Sequence, residues 1–95
     1  MNNMGCKIDK LVTTHGYDLR GIVWSATGGS GSYRLFVKKE GPNGRSSTMQ
    51  EGLFALDGSE EKLLGTISMN SIGGDTITAT LVITSDRGDI CTAEL

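Results

Sequence analysis

The chain has 95 residues, a formal net charge of −2, 37% hydrophobic and 5% aromatic residues, 14 glycines and one proline. That length accommodates one domain with a modest core and no second, and no apolar run approaches the ~20 residues needed to span a bilayer. Nine cations against eleven acids argue against nucleic acid as the main partner.

Taken in order, Met1 to Gly5 has neither the basic start nor the apolar core of a secretory signal. It is expected to be disordered or to stand where a leader has been removed. From there on, apolar and polar residues alternate with period two and no helical period of useful length appears. The segments read as strands are Cys6–Thr13, Tyr17–Ala26, Tyr33–Glu40, Ser46–Gln50, Leu63–Met69, Thr76–Thr84 and Asp89–Leu95. Seven strands in a chain this short predict an all-β, immunoglobulin-like sandwich forming a single domain. In "TITATLVITS", Ile77, Ala79, Leu81 and Ile83 share the face expected in the core, and the threonines with Val82 share the other. In "SYRLFVKK" the same alternation turns Tyr33, Leu35 and Val37 inward and leaves Arg34, Phe36 and Lys38 outside, at intervals of about 6.6–7 Å. Turns are expected at "TGGSGS", "GPNG", "DGSEE", "IGGD" and "DRGD".

Chemistry-bearing patterns are sparse. The single histidine, His15, lies in "TTHGY" with no cysteine or serine-nucleophile motif near it in sequence, and reads as a solvated turn residue. There is no G-x-S-x-G elbow, and "GGSGSY" lacks the Lys-Ser/Thr ending of a phosphate loop. The two cysteines and one histidine do not have zinc-site spacing, and the acids Asp57, Glu60 and Glu61 lack the regular oxygen spacing of a calcium loop. No enzyme activity, metal or cofactor is expected. Arg87-Gly88-Asp89 resembles an integrin-binding tripeptide at the tip of the last predicted hairpin. It is also an ordinary turn in which glycine supplies a positive φ. The adhesion reading, an extracellular ligand-binding module presenting these residues, stands as the alternative function.

Cys6 and Cys91 sit near opposite ends of the chain. They are either a bridge or two buried free thiols. A lean core gains most from a staple, and a bridge closing so long a loop would stabilise by about 4.5 kcal/mol in the chain-entropy account. The bridge is the expectation, and with it an oxidising compartment.

The segment Ser32–Ser47, "SYRLFVKKEGPNGRSS", gathers the cations Arg34, Lys38, Lys39 and Arg45 with one acid, Glu40. Charges on an exposed sheet can simply prevent edge pairing. They can also steer and briefly hold an acidic partner.

Over "SGSYRLFVKKEGPNGRSSTMQEGLFALDGSEEKLLGTISM" the chain resembles the CsgH proteins, of the CsgC-like family of curli chaperones, with similarity from about Gly21 to the C-terminus. The resemblance implies a periplasmic, immunoglobulin-like protein that keeps a curli-type amyloid subunit, unfolded or in early oligomers, from nucleating inside the cell; the chain itself is expected to be a monomer. It further implies an electropositive sheet face meeting an acidic client transiently. Here that face would comprise Arg34, Phe36 and Lys38, with Lys39, Arg45 and Arg20 nearby. The Cys-x-Cys pair of the CsgC branch is missing, which speaks against an oxidoreductase role by analogy.

Overall fold

The computed structural model describes residues 4–42, 44–58, 60–70 and 75–95. The alternating segments form seven strands: β1 (Met4–Val12), β2 (Gly16–Ser25), β3 (Gly29–Gly41), β4 (Gly44–Leu56), β5 (Glu61–Asn70), β6 (Thr76–Ser85) and β7 (Ile90–Glu94). They pair antiparallel in two sheets, β1-β2-β5 and β4-β3-β6-β7. The expected seven-stranded all-β sandwich is what forms. Its fourth strand pairs with the third, whereas in the immunoglobulin constant arrangement the fourth joins the sheet of the first, second and fifth.

The core follows the alternation. Leu19 and Val23 of β2 and Ile67 of β5 meet Leu35, Val37, Phe54, Leu56, Ala79, Leu81 and Ile83 of the other sheet. Burying each large side chain contributes roughly 1.5–3 kcal/mol before entropy is charged against it. Tyr33 and Ile77, also expected inward, are only partly buried and pack against the rim of that cluster.

β3 and β4 are much longer than the sequence suggests. β3 begins at Gly29 and not Tyr33, because Gly28 (φ +74°) and Gly29 (φ +131°) complete the turn, Ser30 to Ser32 then pair with β4, and Gly31 and Ser32 also pair with β6. β4 runs to Leu56 and not Gln50. Gly52 weakens a strand on its own, but here it lies directly across from Tyr33, and Phe54 and Leu56 beyond it are buried in the core. Tertiary packing overrides the local signal. The resulting 13-residue strands explain the molecule's 44 Å long axis, since 13 extended residues span about 43 Å. The turn expected at "IGGD" lies, apart from Asp75, outside the described residues.

The two sides of the sandwich are closed by different means. On one, Cys6 of β1 and Cys91 of β7 form a disulfide, linking the edge of one sheet to the edge of the other (Cα–Cα 6.2 Å). On the other, the Gln50 side-chain amide donates to the Thr66 carbonyl (3.0 Å) and the Lys62 ammonium donates to the Ala55 carbonyl (3.1 Å), joining β4 to β5.

β1 begins at Met4, so Met4 and Gly5 are part of the sheet rather than a disordered start. Gly5 lies across from Trp24, and a Cβ there would come within 2.4 Å of the indole ring. Gly5→Ala is therefore expected to push the chain's one tryptophan off β1 toward water. Its emission should move to longer wavelength and stability should fall by about 1–3 kcal/mol, checked by fluorescence and thermal unfolding.

Candidate functional site

The outer face of the four-stranded sheet is laid out by the ladder register. Along β3 the outward residues are Ser32, Arg34, Phe36, Lys38 and Glu40. Across from them on β4 stand Leu53, Glu51, Met49, Ser47 and Arg45. On β6 the same positions face Thr84, Val82, Thr80, Thr78 and Thr76, and β7 adds Ile90, Thr92 and Glu94. Arg34, Phe36, Lys38 and Arg45 thus share one surface. The other two sequence-derived candidates do not. Lys39 points to the inner side of the sheet, where its ammonium donates to the Asn70 carbonyl of β5 (2.9 Å). Arg20 lies on the outer face of the three-stranded sheet, between Asp9 and Thr66, on the opposite side of the molecule.

Charge on this face is arranged in pairs. The Arg34 guanidinium approaches Glu51 at 3.4 Å, and the Lys38 ammonium meets Glu40 at 2.8 Å. The hydrogen bond from Lys38 and its charge hold the Glu40 carboxyl below the usual 4.5, partial desolvation opposes this, and the Arg45 charge adds to it. Because the folded pKa is depressed, the pair's contribution is present above the unfolded value and is lost as pH falls through the folded one. Both pairs are well exposed, and exposed pairs are worth little, so they leave the cations able to exchange partners. The positive excess belongs to the β3–β4 hairpin, where Arg34, Lys38, Lys39 and Arg45 outnumber Glu40 and Glu51. Over the whole outer face the third carboxylate, Glu94, balances Arg34, Lys38 and Arg45.

Apolar side chains lie among these charges. Phe36 and Met49 are cross-strand neighbours, 40% and 50% exposed, and Leu53 is 86% exposed. Beside Leu53 and the Arg34–Glu51 pair is a depression of about 460 Å³ over Ser32 and Val82. It is open to solvent, unlike the enclosing clefts that bury a small molecule. Met49, Glu51 and Leu53 were not singled out from the sequence, although the pairing of Gly41 with Gly44 at the end of the hairpin fixes which residues they oppose.

Other candidate chemistry stays apart from this face. His15 is exposed at the β1–β2 turn, and both cysteines are in the disulfide. Among the described residues no group of three or more His, Cys, Asp or Glu could hold a metal ion. Arg87-Gly88-Asp89 forms the β6–β7 turn, braced by Ser85, whose hydroxyl oxygen accepts from the amides of Arg87 (3.2 Å) and Asp89 (3.0 Å). Gly88 has φ +92°, and Asp89 is half-buried with its carbonyl accepting from Ser85 N (2.8 Å). Each residue of the tripeptide thus has a place in the turn.

No curated protein matches the chain in sequence. Among solved structures, the solution structure of R. palustris CsgH superimposes with a TM-score of 0.74 at 23% identity, covering 94% of this chain and 89% of that one. The E. coli curli protein CsgC superimposes with a TM-score of 0.82 at 15% identity, covering 96% of each chain. At those identities the two likenesses establish a shared fold. The CsgH protein family itself matches residues 5–94. With that match running from β1 through β7, the chain belongs to the CsgH family.

Proposed function

We propose that the chain is a periplasmic, monomeric chaperone that delays amyloid nucleation of a curli-type subunit through transient contacts from the outer face of the β4-β3-β6-β7 sheet. Membership in the CsgH family and likeness to a curli protein support the curli setting. The disulfide supports an oxidising, extracytoplasmic compartment. The observation that carries the reading is the sharing of one exposed face by Arg34, Phe36, Lys38 and Arg45. Weak surface ion pairs let those cations engage a client carboxylate and release it again. Amyloid nuclei require several chains to align in register and are rare, so a protein that masks or re-orients a few segments acts well below equimolar amounts. Lys39 and Arg20 are left out of the contact surface on geometry. No catalytic step is proposed.

The test is fibre growth of a purified curli-type subunit, followed by dye fluorescence with trace amounts of the chain, across a salt series. The lag should lengthen at low salt, and the effect should shrink as ionic strength passes the physiological value, where exposed charges are screened beyond about 8 Å. An unchanged lag at every salt concentration would remove the reading.

A further inference from the structure

β4 is an edge strand, yet it lacks most of the devices that keep an edge from pairing. It is 13 residues long, carries no proline, and is exposed at every residue from Gly44 to Met49. Hydrogen bonds at the sheet margins fix which of its groups face outward. Ala79 O on β6 accepts from Leu95 N on the β7 side, and Ser30 O on β3 accepts from Asp86 N on the β6 side. Alternation across an antiparallel sheet then turns the N–H and C=O groups of residues 45, 47, 49, 51, 53 and 55 of β4 away from β3. No described strand follows on that side. Lys62 caps the row at Ala55 O, which leaves the stretch from Arg45 to Leu53 open.

We propose that this open edge is where the client is held, by antiparallel or parallel addition of an extended acidic segment to β4. The proposal rests on the chaperone reading above and names the groups that make its contact. Charge selects the occupant. The open stretch starts at the hairpin end that carries Lys38, Lys39 and Arg45, with Glu40 and Asp75 as the nearby described carboxylates. A strand added there lays alternate side chains beside Arg45 and Met49 on the outer face, next to Phe36 and Lys38. Backbone pairing asks little of the client's sequence, which suits a disordered chain, while the surface cations direct it to this edge. At the far end Glu51 disfavours a longer acidic match, which keeps the added strand short and its release fast.

The test separates backbone from charge. Ser47→Pro and Met49→Pro each remove one outward N–H, leave the bonds to β3 in place and keep every charge. With circular dichroism and melting temperature confirming the fold, the double variant should lose most of the lag extension that the parent gives at the same trace dose. Hydrogen exchange provides a second readout. Adding the subunit should slow exchange at the amides of residues 45, 47, 49, 51 and 53, and not at those of 46 and 48, which already bond to β3. A folded proline variant that keeps the full lag extension overturns the edge proposal while leaving the chaperone reading standing. So does protection by self-association, seen as a dimer of the chain alone by light scattering. A parent that leaves the lag unchanged removes both.

Discussion

Cys6→Ser is expected to cost about 2–5 kcal/mol of stability, the usual range for removing a native bridge from a small domain. For a domain of this size, at about 4–8 °C per kcal/mol, that lowers the melting temperature by roughly 10–40 °C. The reason lies in where the bridge sits. Among the described strands β1 is an edge that neighbours β2 in its sheet, and β7, five residues long, is an edge that neighbours β6. The Cys6–Cys91 bond is the covalent link between these margins, across a sequence separation of 85 residues. Both cysteines pack against the core, so the serine variant also places a hydroxyl at the core margin and leaves Cys91, across from Ile83, as a free thiol. The outer face of the four-stranded sheet is not touched by the change. At a temperature where the variant remains folded, its lag extension should therefore stay close to the parent's. A melting curve unaltered by reductant would show that the bridge does not stabilise the fold.

Much of this architecture is legible in the sequence because one periodicity decides it. In β6, Ala79, Leu81 and Ile83 are buried as alternation requires, and in β3 the split between Leu35/Val37 and Arg34/Phe36/Lys38 follows the same rule. The disulfide is legible as one of two options, and the folded edges decide between them. What escapes is pairing. The turn at "GPNG" points to the β3–β4 hairpin, but nothing local to Ser46–Leu56 says that β5 does not follow on its other side, which is what makes β4 an edge. Glycines mislead for a related reason, since Gly29, Gly31 and Gly52 read as breaks and are ladder positions once facing strands supply the packing. The candidate site divides in the same way. Residues two apart on one strand, such as Arg34, Phe36 and Lys38, are recovered, while Arg20 can be assigned to the opposite face only when the sheets are known.

Reversing two charges on the candidate face, Arg34→Glu with Lys38→Glu, is expected to abolish the lag extension. The first substitution puts a carboxylate directly across from Glu51, and the second puts one beside Glu40, which together turn a balanced surface strongly negative. Like charges directly opposed on a sheet cost about 0.2–1 kcal/mol, a loss the fold can absorb. An acidic client is then repelled where it was steered, which affects encounter more than any single contact. Lys7→Glu with Arg20→Glu changes net charge by the same amount on the other sheet, where Lys7 pairs with Glu61 and Arg20 lies between Asp9 and Thr66. That variant separates the effect of one face from the effect of overall charge.

The most direct measurement is therefore fibre growth of a curli-type subunit with trace amounts of three folded proteins: the parent, Arg34→Glu/Lys38→Glu and Lys7→Glu/Arg20→Glu. A long lag is predicted with the parent and with the Lys7/Arg20 variant, and the lag of the subunit alone with the Arg34/Lys38 variant. Equal lags for the two variants, both long or both short, would contradict the assignment of function to the β4-β3-β6-β7 face.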